Sequence, residues 1–322
     1  MSRSKFVAFV AVCFLAVAGL CSAQQWNLAY GSDRDKVAFY NSTNPGFTED
    51  APYGPLSFRV LKDQLWVLDS LGGRVLSIDP KSAIKSEIKI AGLPKNALLE
   101  DFALVSGASG NPETVWVADA ADCVIRKLSL ANSRELVKIG GNGNEPGKFL
   151  QINQLEVDRG GRLYVSDIGR QLIAVYTPYG ELVRELPCQF SGFAIDRQSS
   201  LHILVYRENY GYLHRVYSHQ GQLIKTVHIG MPNFQNPRIW GVNEQGGLLV
   251  SFIPEDGFKG RLKMFEFSAD ARVLHRLEMA PGLSMNRFTG VCDNKIWLAV
   301  VDFAAAPAGE FIVKSIDWDV KK

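Results

Sequence analysis

The segment Ile139–Leu186 reads IGGNGNEPGKFLQINQLEVDRGGRLYVSDIGRQLIAVYTPYGELVREL. Behind the glycine-rich loop Gly140–Gly147, Ile152–Val157 alternates apolar and polar residues, as an inner strand does. Asp158-Arg159-Gly160-Gly161 makes a turn, and Leu163-Tyr164-Val165-Ser166-Asp167 a second strand that ends in an acid. Gln171–Tyr176 is a third strand, Pro178-Tyr179-Gly180 a turn, and Glu181–Leu186 a fourth. Four short strands joined by tight turns predict one antiparallel sheet.

The second strand recurs along the chain. Its copies start at Leu65, Val115, Leu163, Leu201, Leu248 and Ile296, at steps of 50, 48, 38, 47 and 48 residues. Repetition of a four-stranded unit at this period is the signature of a propeller, whose blades bury their faces only by stacking on one another. The expected fold is therefore all-β: a six-bladed β-propeller of four-stranded antiparallel blades, filling residues 24–322 as one domain. The sixth blade shows only three strands, over Thr289–Cys292, Ile296–Val301 and Phe311–Ile316. A strand from Trp26–Tyr40, with Val37–Tyr40 the best candidate, is expected to complete it and remove an exposed sheet edge.

The Ile139–Leu186 block resembles an NHL repeat in its Gly147-Lys148-Phe149, its Gly161-Arg162-Leu163-Tyr164-Val165-Ser166-Asp167 and its Val175-Tyr176. The likeness is specific here and rests mainly on spacing in the last three blades. It implies a six-bladed propeller. For secreted members of simple architecture it implies a binding or scaffolding role more often than an enzymatic one.

Export is expected from the N-terminus. Arg3 and Lys5 precede an apolar run, Phe6–Leu20, of 15 residues. That is short of the roughly 20 needed to span a bilayer. Cys21-Ser22-Ala23 then offers small residues for cleavage before Gln24. Residues 1–23 read as a signal peptide, and the remainder as a secreted or periplasmic monomer with no membrane contact. A formal net charge of +2 gives no electrostatic case for nucleic acid. Cys123, Cys188 and Cys292 lack CxxC spacing and read as buried small side chains; one bridge plus one free thiol is the alternative. Asn41-Ser42-Thr43 matches a glycosylation sequon.

Residues that recur at equivalent positions read as structural. Asp69, Asp119 and Asp167 end second strands, where a carboxylate accepts N–H bonds of the next turn. Trp66, Trp116, Tyr164 and Trp297 follow each strand's first residue and are expected between blades. The glycines at 140, 141, 143 and 147 precede strands rather than a helix, which excludes a phosphate cradle of the P-loop kind. Tyr206, Tyr210, Tyr212 and Tyr217 crowd blade 4, as strand packing or as a partner-binding face.

Function in a propeller is expected where inner strands open onto the central channel. Aligning the blades puts Leu56, Glu100, Asn153, Ser191, Arg238 and Arg287 at one rim, with Asp101 and Gln154 beside them. Arginines offer a bidentate fork to a carboxylate. Glu100, Asp101, Asn153, Gln154, Arg238 and Arg287 are thus candidates for holding a small anion or a peptide carboxylate; the same groups can instead neutralise one another across a solvated mouth. An unidentified protein is the other expected partner. The alternative function is a propeller hydrolase or lyase. Lactonase-like propellers begin with a Glu-Gly-Pro motif whose acid binds calcium, but this chain has Tyr53-Gly54-Pro55. Amidating-lyase relatives gather histidines around zinc. Here His202, His214, His219 and His228 fall in blade 4, with His275 apart. No cofactor and no metal are expected.

Overall fold

The computed structural model describes residues 24–45, 47, 51–230, 234–254, 262–279, 285–292 and 294–316. The expected signal segment 1–23 and the long connection 255–261 of blade 5 lie outside the described residues. The first strand, β1 (Gln25–Ala29), stands apart from the blade that follows it. Blade 1 is β2 (Ser57–Leu61), β3 (Gln64–Asp69), β4 (Arg74–Ile78) and β5 (Ile84–Lys89). Blade 2 is β6 (Leu99–Ser106), β7 (Pro112–Asp119), β8 (Val124–Ser129) and β9 (Glu135–Gly140). Blade 3 is β10 (Ile152–Val157), β11 (Leu163–Asp167), β12 (Leu172–Tyr176) and β13 (Leu182–Pro187). Blade 4 is β14 (Ala194–Ile195), β15 (Leu201–Arg207), β16 (Gly211–Tyr217) and β17 (Leu223–Ile229). Blade 5 is β18 (Phe234–Val242), β19 (Leu248–Pro254), β20 (Leu262–Phe267) and β21 (Val273–Met279). Blade 6 is β22 (Thr289–Cys292), β23 (Lys295–Val300) and β24 (Glu310–Ile316), completed by β1.

Each blade is an antiparallel meander, and the inner strands β2, β6, β10, β14, β18 and β22 contact one another in ring order, β22 returning to β2. The molecule is a six-bladed β-propeller. The closing strand is Gln25–Ala29, not Val37–Tyr40. It pairs antiparallel with β24 from Gln25↔Lys314 to Ala29↔Glu310. Trp26 and Leu28 point inward and are buried, and Trp26 packs on Trp297 with ring centroids 5.0 Å apart. Its indole N–H donates to the Asp79 carbonyl at 2.8 Å, so the strand that closes blade 6 is also tied to blade 1. Val37 is buried too, but it makes only an isolated parallel bridge to Tyr30.

The core lies between blades. Trp66 packs with Phe102, Val115 and Val117 of blade 2, Trp116 with Leu155 and Val165 of blade 3, and Tyr164 with Leu201 and Ile203 of blade 4. Each large ring thus fills one wedge against the next blade. Asp69 and Asp167 bind the turn ahead, at Gly72 N and Arg170 N, as their position implies. They also reach backward: Asp167 takes Leu150 N and Gln151 N at 3.0 Å, and Asp119 takes Leu98 N at 3.0 Å. These acids therefore anchor the segment that leads into an inner strand, which sets where the channel residues fall.

Cys123 and Cys188 are buried free thiols. Asn41 is fully buried, with its side-chain amide donating to the carbonyls of Phe303 and Ala306 at 2.8 Å. The sequon asparagine is thus a structural clip with no room for a glycan. Tyr206 and Tyr210 are exposed, whereas Tyr212 is buried against Phe252.

Candidate functional site

The channel is lined by two tiers of polar side chains, and β-bulges in the inner strands create them. In β6 the register with β7 skips from Leu99↔Asp119 to Asp101↔Ala118, which leaves Glu100 as the extra residue. In β10 it skips from Ile152↔Asp167 to Gln154↔Ser166, which leaves Asn153. A regular strand sends consecutive residues to opposite faces. A bulge re-aims one of them, so Glu100 with Asp101, and Asn153 with Gln154, take part in the same axial region.

At the rim the hub is Asn286, which the sequence alignment placed one residue off, at Arg287. Asn286 Oδ1 accepts from Asn153 Nδ2 at 3.0 Å and from Arg238 Nη2 at 2.8 Å. Its Nδ2 donates to the main-chain oxygens of Asn153 and Glu100. Arg238 also lies over the Trp240 ring, 4.3 Å from its centroid, a cation–π contact. Burial, then the nearby Arg287 charge, pulls Arg238 down to about 10. Burial and the neighbouring Asp101 push the Glu100 carboxyl up to about 7, against the pull of Arg238. Among the described residues, Arg238 has no ion pair, and Arg238 Nε and Asn153 Oδ1 are buried without a partner. Glu100 and Asn286, with Leu56, Met285, Leu98 and Lys95, line a cleft of about 980 Å³ on this face.

One tier deeper, both arginines are ion-paired, although Arg287 Nε is itself buried without a partner. Asp101 is fully buried and takes Ser57 Oγ, Arg59 Nη2 at 3.1 Å, Arg287 Nη2 at 3.4 Å and Leu155 N at 2.9 Å. Burial raises its pKa, but Arg59 and Arg287 outweigh that and hold it down at about 2. Arg287 also pairs with Glu156 at 2.7 Å, and Gln154 donates to Glu156 and to the Phe193 carbonyl. Burial would lower Arg287, but Glu156 and Asp101 raise it.

Of the six candidates, then, Glu100, Asn153 and Arg238 gather around Asn286, while Asp101, Gln154 and Arg287 belong to the buried tier. Ser191 joins neither tier among the described residues. Asn286, Ser57, Arg59 and Glu156 were missed. Glu156 lies two residues beyond Gln154, and Arg59 two beyond Ser57, a period that a strand reading can use.

The donors for a metal of lactonase or lyase type do not fit here. Among the described residues no three His, Cys, Asp or Glu side chains gather closely enough to hold an ion. Tyr53, at the position of the lactonase acid, pairs through its backbone with Tyr40. His202 and His214 are buried together in blade 4, Nδ1 to Nε2 at 2.9 Å, with Asp196 at 3.1 Å from His202 Nε2.

No protein-family model matches this chain, and no curated protein matches it. Solved structures do. Virginiamycin B lyase from Staphylococcus aureus is similar over 82% of this chain and 95% of its own, at 12% identity and a TM-score of 0.52. A gluconolactonase from Xanthomonas campestris is similar over 79% and 82%, at 16% identity and 0.50. U3-55K is similar over 81% and 96%, at 8% identity and 0.52. At these identities the likeness is one of fold.

Proposed function

We propose that this chain is an exported, NHL-like propeller that acts as a binding module, with a small carboxylate ligand or a peptide's terminal carboxylate held at the rim by Arg238, Asn153 and Asn286. The observation that carries this reading is the state of Arg238. It is a half-buried guanidinium at the channel opening whose hydrogen-bond partner among the described residues is a neutral amide. A buried charge without a counter-charge is unfavourable, and an arriving carboxylate supplies the missing partner in bidentate geometry. The deeper arginines already pair with carboxylates, which leaves Arg238 as the anchor. The test is calorimetric titration of the mature protein with acetate, benzoate and a tripeptide carrying either a free or an amidated C-terminus. Binding of benzoate or of the free-acid peptide, lost in Arg238→Met, supports the module. Equal binding of amidated and free peptide removes the carboxylate from the account.

A second reading, a hydrolase or lyase, is favoured by Glu100. A carboxyl near pH 7 in a cleft suits general acid–base work, and the lyase and lactonase of like fold are compatible with it. Its test is loss of turnover in Glu100→Gln, with melting temperatures compared with and without chelator.

A further inference from the structure

Among the described residues, the channel holds three guanidinium groups, Arg59, Arg238 and Arg287, and three carboxyl groups, Glu100, Asp101 and Glu156. Asp101 and Glu156 are claimed by Arg59 and Arg287 through ion pairs of 2.7–3.4 Å. The remaining two, Arg238 and Glu100, are not paired with each other among the described residues. Both meet Asn286 instead: Arg238 through its guanidinium, Glu100 only through its main-chain oxygen. Glu100 lines a cleft whose other walls include Leu56, Leu98 and Met285. A cation and an acid thus meet at one asparagine, at the edge of this cleft, without neutralising each other.

We propose that the rim takes its anion together with a proton: a small carboxylate docks on Arg238, and Glu100, protonated, donates a hydrogen bond to it. This rests on the binding reading above and adds to it the chemical class and the coupling. The reaction balances as ligand carboxylate plus one solvent proton plus ionised Glu100 giving a complex with neutral Glu100; no covalent bond changes.

The physical reason is that two carboxylates sharing one site cannot both stay ionised at low cost. The groups around Glu100 set the starting point. Asp101 on its own strand opposes its ionisation, Arg238 from blade 5 favours it, and burial is the largest influence. Arg287, Arg59 and Glu156 lie in the deeper tier and are mutually paired. Lys95 and Tyr53 line the same cleft, Lys95 exposed to solvent. With Glu100 balanced near pH 7, an arriving anion tips it to the neutral form. Affinity then holds through pH 6 and falls above pH 7, by up to about tenfold per unit for one coupled proton. A free small acid and a chain terminus share this chemistry, and benzoate and the free-acid tripeptide separate them.

The experiment titrates the mature protein with benzoate and with the tripeptide from pH 5.5 to 8.5, in two buffers of different ionisation enthalpy. The expected results are weaker binding above pH 7, and a heat that differs between buffers by uptake of a proton. Glu100→Gln, which keeps a donor and cannot ionise, should bind at pH 8.5 as the wild type binds at pH 6. Wild-type affinity independent of pH, with equal heats in both buffers and binding still abolished by Arg238→Met, overturns the proton coupling and leaves the binding module standing. Absence of binding by every probe at every pH overturns both. The buffer comparison on the wild type needs no variant to fold.

Discussion

Glu100 and Asp101 are neighbours in one strand, yet one is pushed up to about 7 and the other held at about 2. Both are desolvated. The difference is what each meets. Asp101 meets two guanidinium groups, a hydroxyl and a backbone N–H. Glu100 meets a cleft, a like charge next door, and an arginine out of ion-pair reach. Two tiers of one channel, built from the same residue types, therefore have different work. The deep tier ties blades 1, 2, 3 and 6 together, through Ser57 and Arg59, Asp101, Leu155 and Glu156, and Arg287. The rim tier keeps an acid and a base unspent.

The largest expected effect comes from breaking the deep tier. Asp101→Asn leaves Arg59 and Arg287 short of a buried counter-charge, and should cost ~3–5 kcal/mol of unfolding free energy in urea titrations. Its folded-state pKa lies below the unfolded 3.8. Its contribution is therefore full above pH 3.8 and is lost as pH falls through about 2. If Glu100→Gln proves as costly as Asp101→Asn, the two tiers are one network and the distinction fails.

The blade 4 histidines are a buried pair outside the channel, and His214 is the one that titrates out of its ordinary range. Burial, then the His202 charge, pushes His214 down to about 3 from 6.5. A base with a depressed folded-state pKa contributes fully above pH 6.5 and loses that contribution as pH falls toward 3. Between pH 7 and pH 5 this site alone should cost about 2 kcal/mol. His214→Gln should flatten that limb of the stability curve and leave the neutral-to-alkaline limb as in wild type.

Glu100 has the opposite sign. Its folded-state pKa is raised, so the fold favours the protonated form, and stability declines as pH rises from about 4.5 to 7. Glu100→Gln should gain ~1–2 kcal/mol at pH 8, after allowance for solvent screening at the cleft, and only about a quarter of that at pH 5. Thermal melts at the two pH values check this. A gain at pH 5 as large as that at pH 8 would assign the effect to packing rather than to charge.

Much of this architecture is legible in the sequence because each strand writes its own boundaries. Leu65–Asp69, Leu163–Asp167 and Leu262–Phe267 alternate or run apolar between turn residues, and no distant contact is needed to place them. The closing strand was harder. Trp26, Leu28, Tyr30 and Val37 are all buried, so burial pattern alone does not say which segment pairs with β24. The docking of Trp26 on Trp297 decides it, and that contact spans nearly the whole chain. The channel residues depend on bulges at Glu100 and Asn153, where two residues face one across the ladder. A period-2 reading slips by one at such points; Arg287 stood in for Asn286 separately, because both lie before the short β22, where aligning the blades by spacing carries an error of one residue. Glu156 and Arg59 escaped because they lie deeper along strands whose first residues alone were considered.

The smallest effect is expected at the other end of the channel, and it sharpens the comparison most. There Gly290, on β22 opposite Trp297, lines a cavity of about 110 Å³ with Arg59, Glu156, Arg287 and Trp240. A Cβ built at Gly290 meets no atom within 4 Å, and its backbone is outside the left-handed region that needs glycine. Gly290→Ala should therefore leave stability unchanged or raise it by up to ~1 kcal/mol, by restricting the unfolded chain. Because the methyl group narrows only the end where both arginines already have carboxylate ion pairs, benzoate affinity should stay at the wild-type value. A tenfold loss of affinity in Gly290→Ala, with the melting temperature preserved, would put the ligand against Arg287 rather than Arg238. The ion-paired tier would then be the binding tier, and the unpaired charge at the rim would need another explanation.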